Sequence, residues 1–132
     1  MKLRHLPLLA ALLASPAVQA SDDFPKQPVR IVVPHQAGST TETFGRMLTP
    51  EMSTLLGKPI VIESRAGAAG TIGARDVAIS KPDGYTGLMN ASIQVMYPGI
   101  FKVLHFVPMK DFTPVGVFGF APMVAVVGTQ TA

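Results

Sequence analysis

A chain of 132 residues, 48% hydrophobic and 14% charged, has a globular rather than a disordered balance and room for at most one domain. Having no cysteine, it excludes disulfide frameworks, thiolate metal sites and a cysteine nucleophile. Its formal charge of +3 drops to nine basic against eight acidic residues once the first twenty are set aside, and with no Trp and no basic stripe interleaved with aromatics it offers nucleic acid no surface.

Residues 1–20 have the order of a secretory leader: basic Lys2 and Arg4, an apolar stretch over 6–14, then Ser15-Pro16 as a helix breaker. Val18 and Ala20 are the small residues a signal peptidase accepts, so cleavage after Ala20 and export to the periplasm are expected. The apolar stretch is about half the roughly 20 residues a membrane span needs, so the mature chain is not expected to be membrane-embedded. No Cys stands near the cut to carry a lipid anchor.

The fold begins at Val29. Residues 29–33 (VRIVV) are almost continuously apolar and β-branched, as in a strand covered on both faces of a parallel sheet, and Pro34 closes them. Over 41–56, Phe44, Met47, Leu48, Met52, Leu55 and Leu56 recur at helical spacing before Gly57. Pro50 either kinks this helix or starts a second one with Thr49 as N-cap. Residues 59–63 (PIVIE) read as a second strand, and 64–74 (SRAGAAGTIGA) lead into a weaker helix ending near Ser80. Pro82-Asp83-Gly84 is a turn in which proline fixes the first φ, aspartate caps locally and glycine takes the positive φ. A third strand is expected over 85–89. Repeated strand, loop and helix predict an α/β fold with a mainly parallel sheet and right-handed crossovers. Beyond Asn90 the pattern weakens: a turn over 108–111 and apolar strands over 115–120 and 123–127. Two prolines and three glycines over 112–128 argue against a membrane span there.

Ligands of such sheets bind beyond the carboxyl ends of the strands, where helix N-termini direct N–H groups outward. Three small-residue loops fall there. The first is Ala37, Gly38, Ser39, Thr40 and Thr41, flanked by His35 and Glu42; the second is Gly67, Ala68, Ala69, Gly70 and Thr71; the third is Asn90, Ala91 and Ser92. Together they suit a carboxylate without a fixed cation. Tight strand-to-helix turns need small residues anyway, so each loop alone carries little weight. No Gly-Lys-Ser/Thr follows the glycines, and no G-x-S-x-G elbow or third partner completes a triad from His35, Ser39 and Glu42. His5, His35 and His105 are too scattered for a metal site. A binding protein without catalysis, cofactor or metal is the expectation. A Rossmann-like nucleotide-dependent enzyme is the alternative, and it lacks the acidic residue about 20 positions after a Gly-rich turn, since Asp83 lies in a turn.

PVRIVVP, the following A-G-x-x-T, Arg46, LGKPIVIESRAGAAGTIGA, PDGYT at 82–86 and KDFTPV at 110–115 occur in one order over about 24–127. In these phrases the chain resembles the Bug-type solute-binding receptors of tripartite tricarboxylate transporters. The resemblance implies a periplasmic-binding-protein-like lobe of the type II, Venus-flytrap kind. It would take a small carboxylate, gripped partly through water by residues 37–42 and 67–71 with 90–92 nearby, and deliver it to membrane permease subunits. Such receptors usually carry an aromatic at His35, glycine at Ser39, aspartate at Glu42, asparagine at Ser64, proline at Ala66 and glycine at Ala69. The side chains added here narrow the pocket. Receptors of this kind run to about 300 residues, a two-domain length. The resemblance therefore implies a fragment: leader over 1–20, partial N-terminal lobe over 21–120, and the start of a crossover toward a second lobe over 121–132. A non-functional truncated remnant of such a receptor is the further alternative.

Overall fold

The structure, a computed structural model, describes residues 24–120 and 122. The expected leader with its cut after Ala20, the strand over 123–127 and, apart from Pro122, the crossover segment lie outside the described residues.

Three parallel strands form one sheet in the order β2-β1-β3: β1 is Val29–Val33, β2 is Ile60–Ser64 and β3 is Thr86–Leu88. The central position of β1 explains its apolar run, because both its edges and both its faces are covered; Val32 and Val33 are fully buried. Helix α1 (Thr40–Leu56) connects β1 to β2 and packs on the face carrying Ile31 and Ile62, with Gly45 against Ile62 and Met89. Helix α2 (Thr71–Ala78) connects β2 to β3 over the opposite face. There it is joined by α3 (Ile93–Ile100), and Ala74, Tyr97 and Phe106 form a buried cluster against which Leu88 packs. The chain thus leaves β1 toward one face and leaves both neighbouring strands toward the other, the switch point at which open α/β sheets bind ligands.

Of the two readings of Pro50, the structure adopts the unbroken helix. The hydroxyls of Thr49 and Thr54 donate to the carbonyl oxygens of Gly45 and Pro50, one turn back on either side of the proline. Ser39 rather than Thr49 is the N-cap, and Gly57 closes the helix in the left-handed conformation. The turn at 82–84 follows its expected chemistry, with the Tyr85 amide donating to Asp83 Oδ1 and Gly84 at φ 81°.

Two expectations need correction. Sequence periodicity gave no helix after Asn90, yet α3 forms there with Pro98 inside it. Its aromatic residue supplies the reason: Tyr97 is fully buried and packs edge-on against Phe101 and Phe106, each at 6.0 Å between ring centroids, so tertiary packing outweighs the proline. Conversely, residues 115–120 form no strand, and Val115, Val117, Phe118 and Phe120 stand exposed. β-branched and aromatic residues favour a strand only where a neighbour supplies the hydrogen bonds, and no described strand borders this segment.

A closed ring of charges fastens α2 to the sheet. Arg30 of β1 donates from Nε to Glu63 and from Nη2 to Asp76, both at 2.5 Å, while Arg65 donates to the second oxygen of each, at 2.7 and 3.1 Å. Sharing each carboxylate between two guanidinium groups leaves no net charge beneath α2. The hydrogen bond from Arg30, followed by that from Arg65, holds the Glu63 carboxyl at about 2 rather than its ordinary 4.5. Because the folded value is the lower one, this stabilisation is complete above the unfolded value and disappears as pH falls through the window down to about 2. Thermal melts across that window are expected to show a progressive loss of stability that Glu63→Gln largely removes; an unchanged slope in the variant would show that the ring does not hold the helix.

Candidate functional site

Each loop singled out by composition lies at the carboxyl edge of the sheet. His35 through Glu42 lead from β1 into α1, Gly67 through Thr71 lead from β2 into α2, and Asn90 through Ser92 lead from β3 into α3. What brings them together is the close approach of backbone to backbone at the end of β1. A Cβ on Gly73 would stand 2.8 Å from the Arg65 carbonyl oxygen and 2.9 Å from Pro34 Cβ. On Gly70 it would stand 2.6 Å from Tyr97 Oη and 3.1 Å from the Pro34 carbonyl oxygen. Only glycine lets the second loop lie directly on fully buried Pro34.

The first loop is electrostatically self-contained. Ser39 Oγ accepts from the Glu42 amide, and the Glu42 carboxylate reaches back to accept from the Gly38 amide at 2.5 Å. This is a capping box extended by one residue, since the carboxylate usually returns to the N-cap amide itself. Glu42 is buried at 4% exposure, and Arg46 covers it, donating to Oε1 from Nε at 2.8 Å and from Nη2 at 2.6 Å. The Gly38 amide, then Arg46, keeps the Glu42 carboxyl below the usual carboxylate range. Within this loop the Gly38 N–H is therefore already engaged by an internal anion.

The second loop is strained. Gly67, Ala68, Ala69 and Gly70 have φ of 134°, 44°, 52° and 94°, and the two alanines pay the left-handed penalty of about 1–2 kcal/mol each. A single turn holds it: Gly70 N donates to Gly67 O, and the Thr71 hydroxyl donates to Ala68 O. No side chain caps α2 or α3, so their leading amides face the edge of the sheet without an internal carboxylate.

Side chains tie the third loop to the other two. Asn90 Oδ1 lies 3.1 Å from His35 Nε2, and Asn90 Nδ2 donates to Gln94 Oε1 at 2.8 Å and to Tyr97 Oη at 3.3 Å. Tyr97 Oη in turn donates to the Ala69 carbonyl at 3.1 Å. Sequence reading missed Gln94 and Tyr97, which lie on the unanticipated α3. Ala37, Thr40 and Ala91 are exposed at the rim, while Thr41 is half-buried. The hydrogen bonds of His35, Ser39 and Glu42 go to Asn90, the Glu42 amide, and Gly38 with Arg46, so they assemble no nucleophile and base pair. Among the described residues, no group of three or more His, Asp or Glu could hold a metal ion, and no helix is long and apolar enough to cross a membrane.

Residues 44–131 match the profile of the tripartite tricarboxylate transporter family receptor. A UPF0065 protein of Bordetella bronchiseptica is 39% identical over 127 residues, 96% of this chain and 37% of that protein. BugT of Bordetella pertussis is 33% identical over 93% of this chain and 39% of its own. MatC from Rhodopseudomonas palustris, solved with bound malate, superimposes with a TM-score of 0.59 at 40% identity, over 70% of this chain and 32% of that one. The chain spans little more than a third of the length of the curated relatives it matches.

Replacing Ala69 by glycine removes one left-handed alanine and is expected to stabilise the fold by about 0.5–1 kcal/mol, the penalty less the entropy glycine adds to the unfolded chain. Chemical denaturation reads this directly. A less stable Ala69→Gly would mean that the loop is not strained at that position.

Proposed function

The chain belongs to the tripartite tricarboxylate transporter receptor family, and from that membership we propose that it supplies one wall of a periplasmic binding site for a small carboxylate, destined for the transporter's membrane permease. One observation carries the reading: three loops from three parallel strands meet at the switch point of the sheet, joined through Asn90 and Tyr97. Malate is the ligand bound by MatC, which has the same fold over this region.

The chemistry favours the second and third loops as the gripping surfaces. An incoming carboxylate meets the starts of α2 and α3, which no side chain caps and where the helix dipoles attract negative charge, while the Thr71, Gln94 and Val95 amides turn inward to the carbonyls of Ala68, Ala91 and Ser92. At α1 the same role is filled by Glu42, which repels a second anion at close range while its guanidinium partner Arg46, 62% exposed, offers compensation at the rim. Ala37, Gly38, Ser39, Thr40 and Thr41 then form a wall contacted through water rather than an amide cradle. His35 stands beside the ligand rather than acting as a base. Binding needs no metal or cofactor in this scheme, because amides and hydroxyls satisfy a carboxylate by themselves.

The chain, titrated against a panel of acids while its melting temperature is followed, is expected to be stabilised by malate and other small di- or tricarboxylates and not by neutral sugars or amines. At a hundredfold excess over Kd the gain is about 2.7 kcal/mol. Equal response to neutral solutes, or none to any acid of the panel, would contradict the proposal.

A further inference from the structure

We infer that Tyr97 is a positioning residue of the carboxylate site, setting the shape of the second loop through a hydrogen-bond chain that runs in one direction from His35 to Ala69. The inference rests on the reading above and adds a residue outside the three loops.

The direction of the chain follows from its fixed donors. The Ala91 amide donates to Asn90 Oδ1 at 2.8 Å, and a backbone N–H can only donate, so this atom is the amide oxygen. Oδ1 is then an acceptor for His35, and the ring donates to it from Nε2. Asn90 Nδ2 accordingly donates to Tyr97 Oη, leaving the tyrosine proton to go to the only pure acceptor at the far end, the carbonyl of Ala69. Every member has one role and no rotation of an amide or hydroxyl reverses it.

The far end matters most. The peptide plane between Ala69 and Gly70 is pinned at both edges: its N–H donates to Gly67 O at 2.8 Å and its C=O accepts from Tyr97. That plane lies between the two left-handed alanines and the first turn of α2, so pinning it fixes how the adjoining amides point. Tyr97 can do this because its ring is immobilised, fully buried between Phe101 and Phe106, while its hydroxyl emerges at the loop. Gly70 has no Cβ for the reason already given, since one would meet Tyr97 Oη.

The test combines Tyr97→Phe, Asn90→Ala and the double variant of the full chain, with malate as the probe and nitrogen-15 spectra as the structural readout. Tyr97→Phe is expected to move the amide signals of residues 68–71 and weaken malate binding about tenfold. Asn90→Ala leaves the tyrosine ring in its packing; it is expected to release His35 from its hydrogen bond and weaken binding about threefold. Because both act through one chain, the double variant should bind about as weakly as Tyr97→Phe alone. Tyr97→Phe binding malate within twofold of the unmodified chain, or losses that multiply in the double variant, would overturn the role. Should Tyr97→Phe fail to fold, Asn90→Ala decides by itself: movement of both the His35 ring and the 68–71 amides supports the chain, and movement of His35 alone overturns it. An unmodified chain that shows His35 donating from Nε2 but ignores malate would sink the carboxylate reading while leaving the loop-positioning role in place.

Discussion

The structure depends on how closely the start of α2 lies against the end of β1. Pro34 closes the central strand and is fully buried, and the backbone at Gly70 and Gly73 rests on it with no space for a side chain. That contact brings two successive strand-helix units together at one edge of the sheet, because it fixes the second loop beside the first. It also dictates the strain in the second loop, where the chain turns through four residues of positive φ to reach its seat. The energy for that comes from the charge ring between α2 and the sheet and from the apolar cluster around Ala74 and Tyr97, which together hold the helix down.

The electrostatics of the edge are uneven. Sequence composition makes the three loops look alike, rich in glycine, alanine and hydroxyls, yet they differ in what their helices already carry. Glu42 occupies the start of α1 with a buried carboxylate held by the Gly38 amide and by Arg46. The starts of α2 and α3 have no such occupant. The edge of the sheet is therefore electrostatically asymmetric, with a neutralised wall at α1 and no carboxylate at the starts of α2 and α3.

Much of the frame was legible because it rests on local chemistry. VRIVV announced a doubly covered strand, Gly57 a helix end, and Pro82-Asp83-Gly84 a turn, and each is where its residues imply. The positions of the three loops followed from the alternation of elements. What could not be read were interactions between residues distant in sequence. Arg30, one residue of the apolar run VRIVV, is a corner of the charge ring with Glu63, Arg65 and Asp76, which are distant in sequence. Tyr97 sat beside Pro98-Gly99, a breaker by local rules, so α3 and the residue that joins the loops were both missed. The error over 115–120 was the converse: local propensity was present and a strand partner was not. Extra carbon atoms at Glu42 and Ala69 were visible in the sequence, but their effects, an engaged Gly38 amide and a strained turn, are properties of the folded backbone.

The central claim is that the three loops make one binding surface. Its most direct test is to follow every backbone amide of the chain while malate is added. A single site predicts that signals from residues 68–73 and 91–93 shift together along one saturation curve, with smaller shifts at 38–41. Shifts confined to one loop, or midpoints that differ between loops, would contradict it.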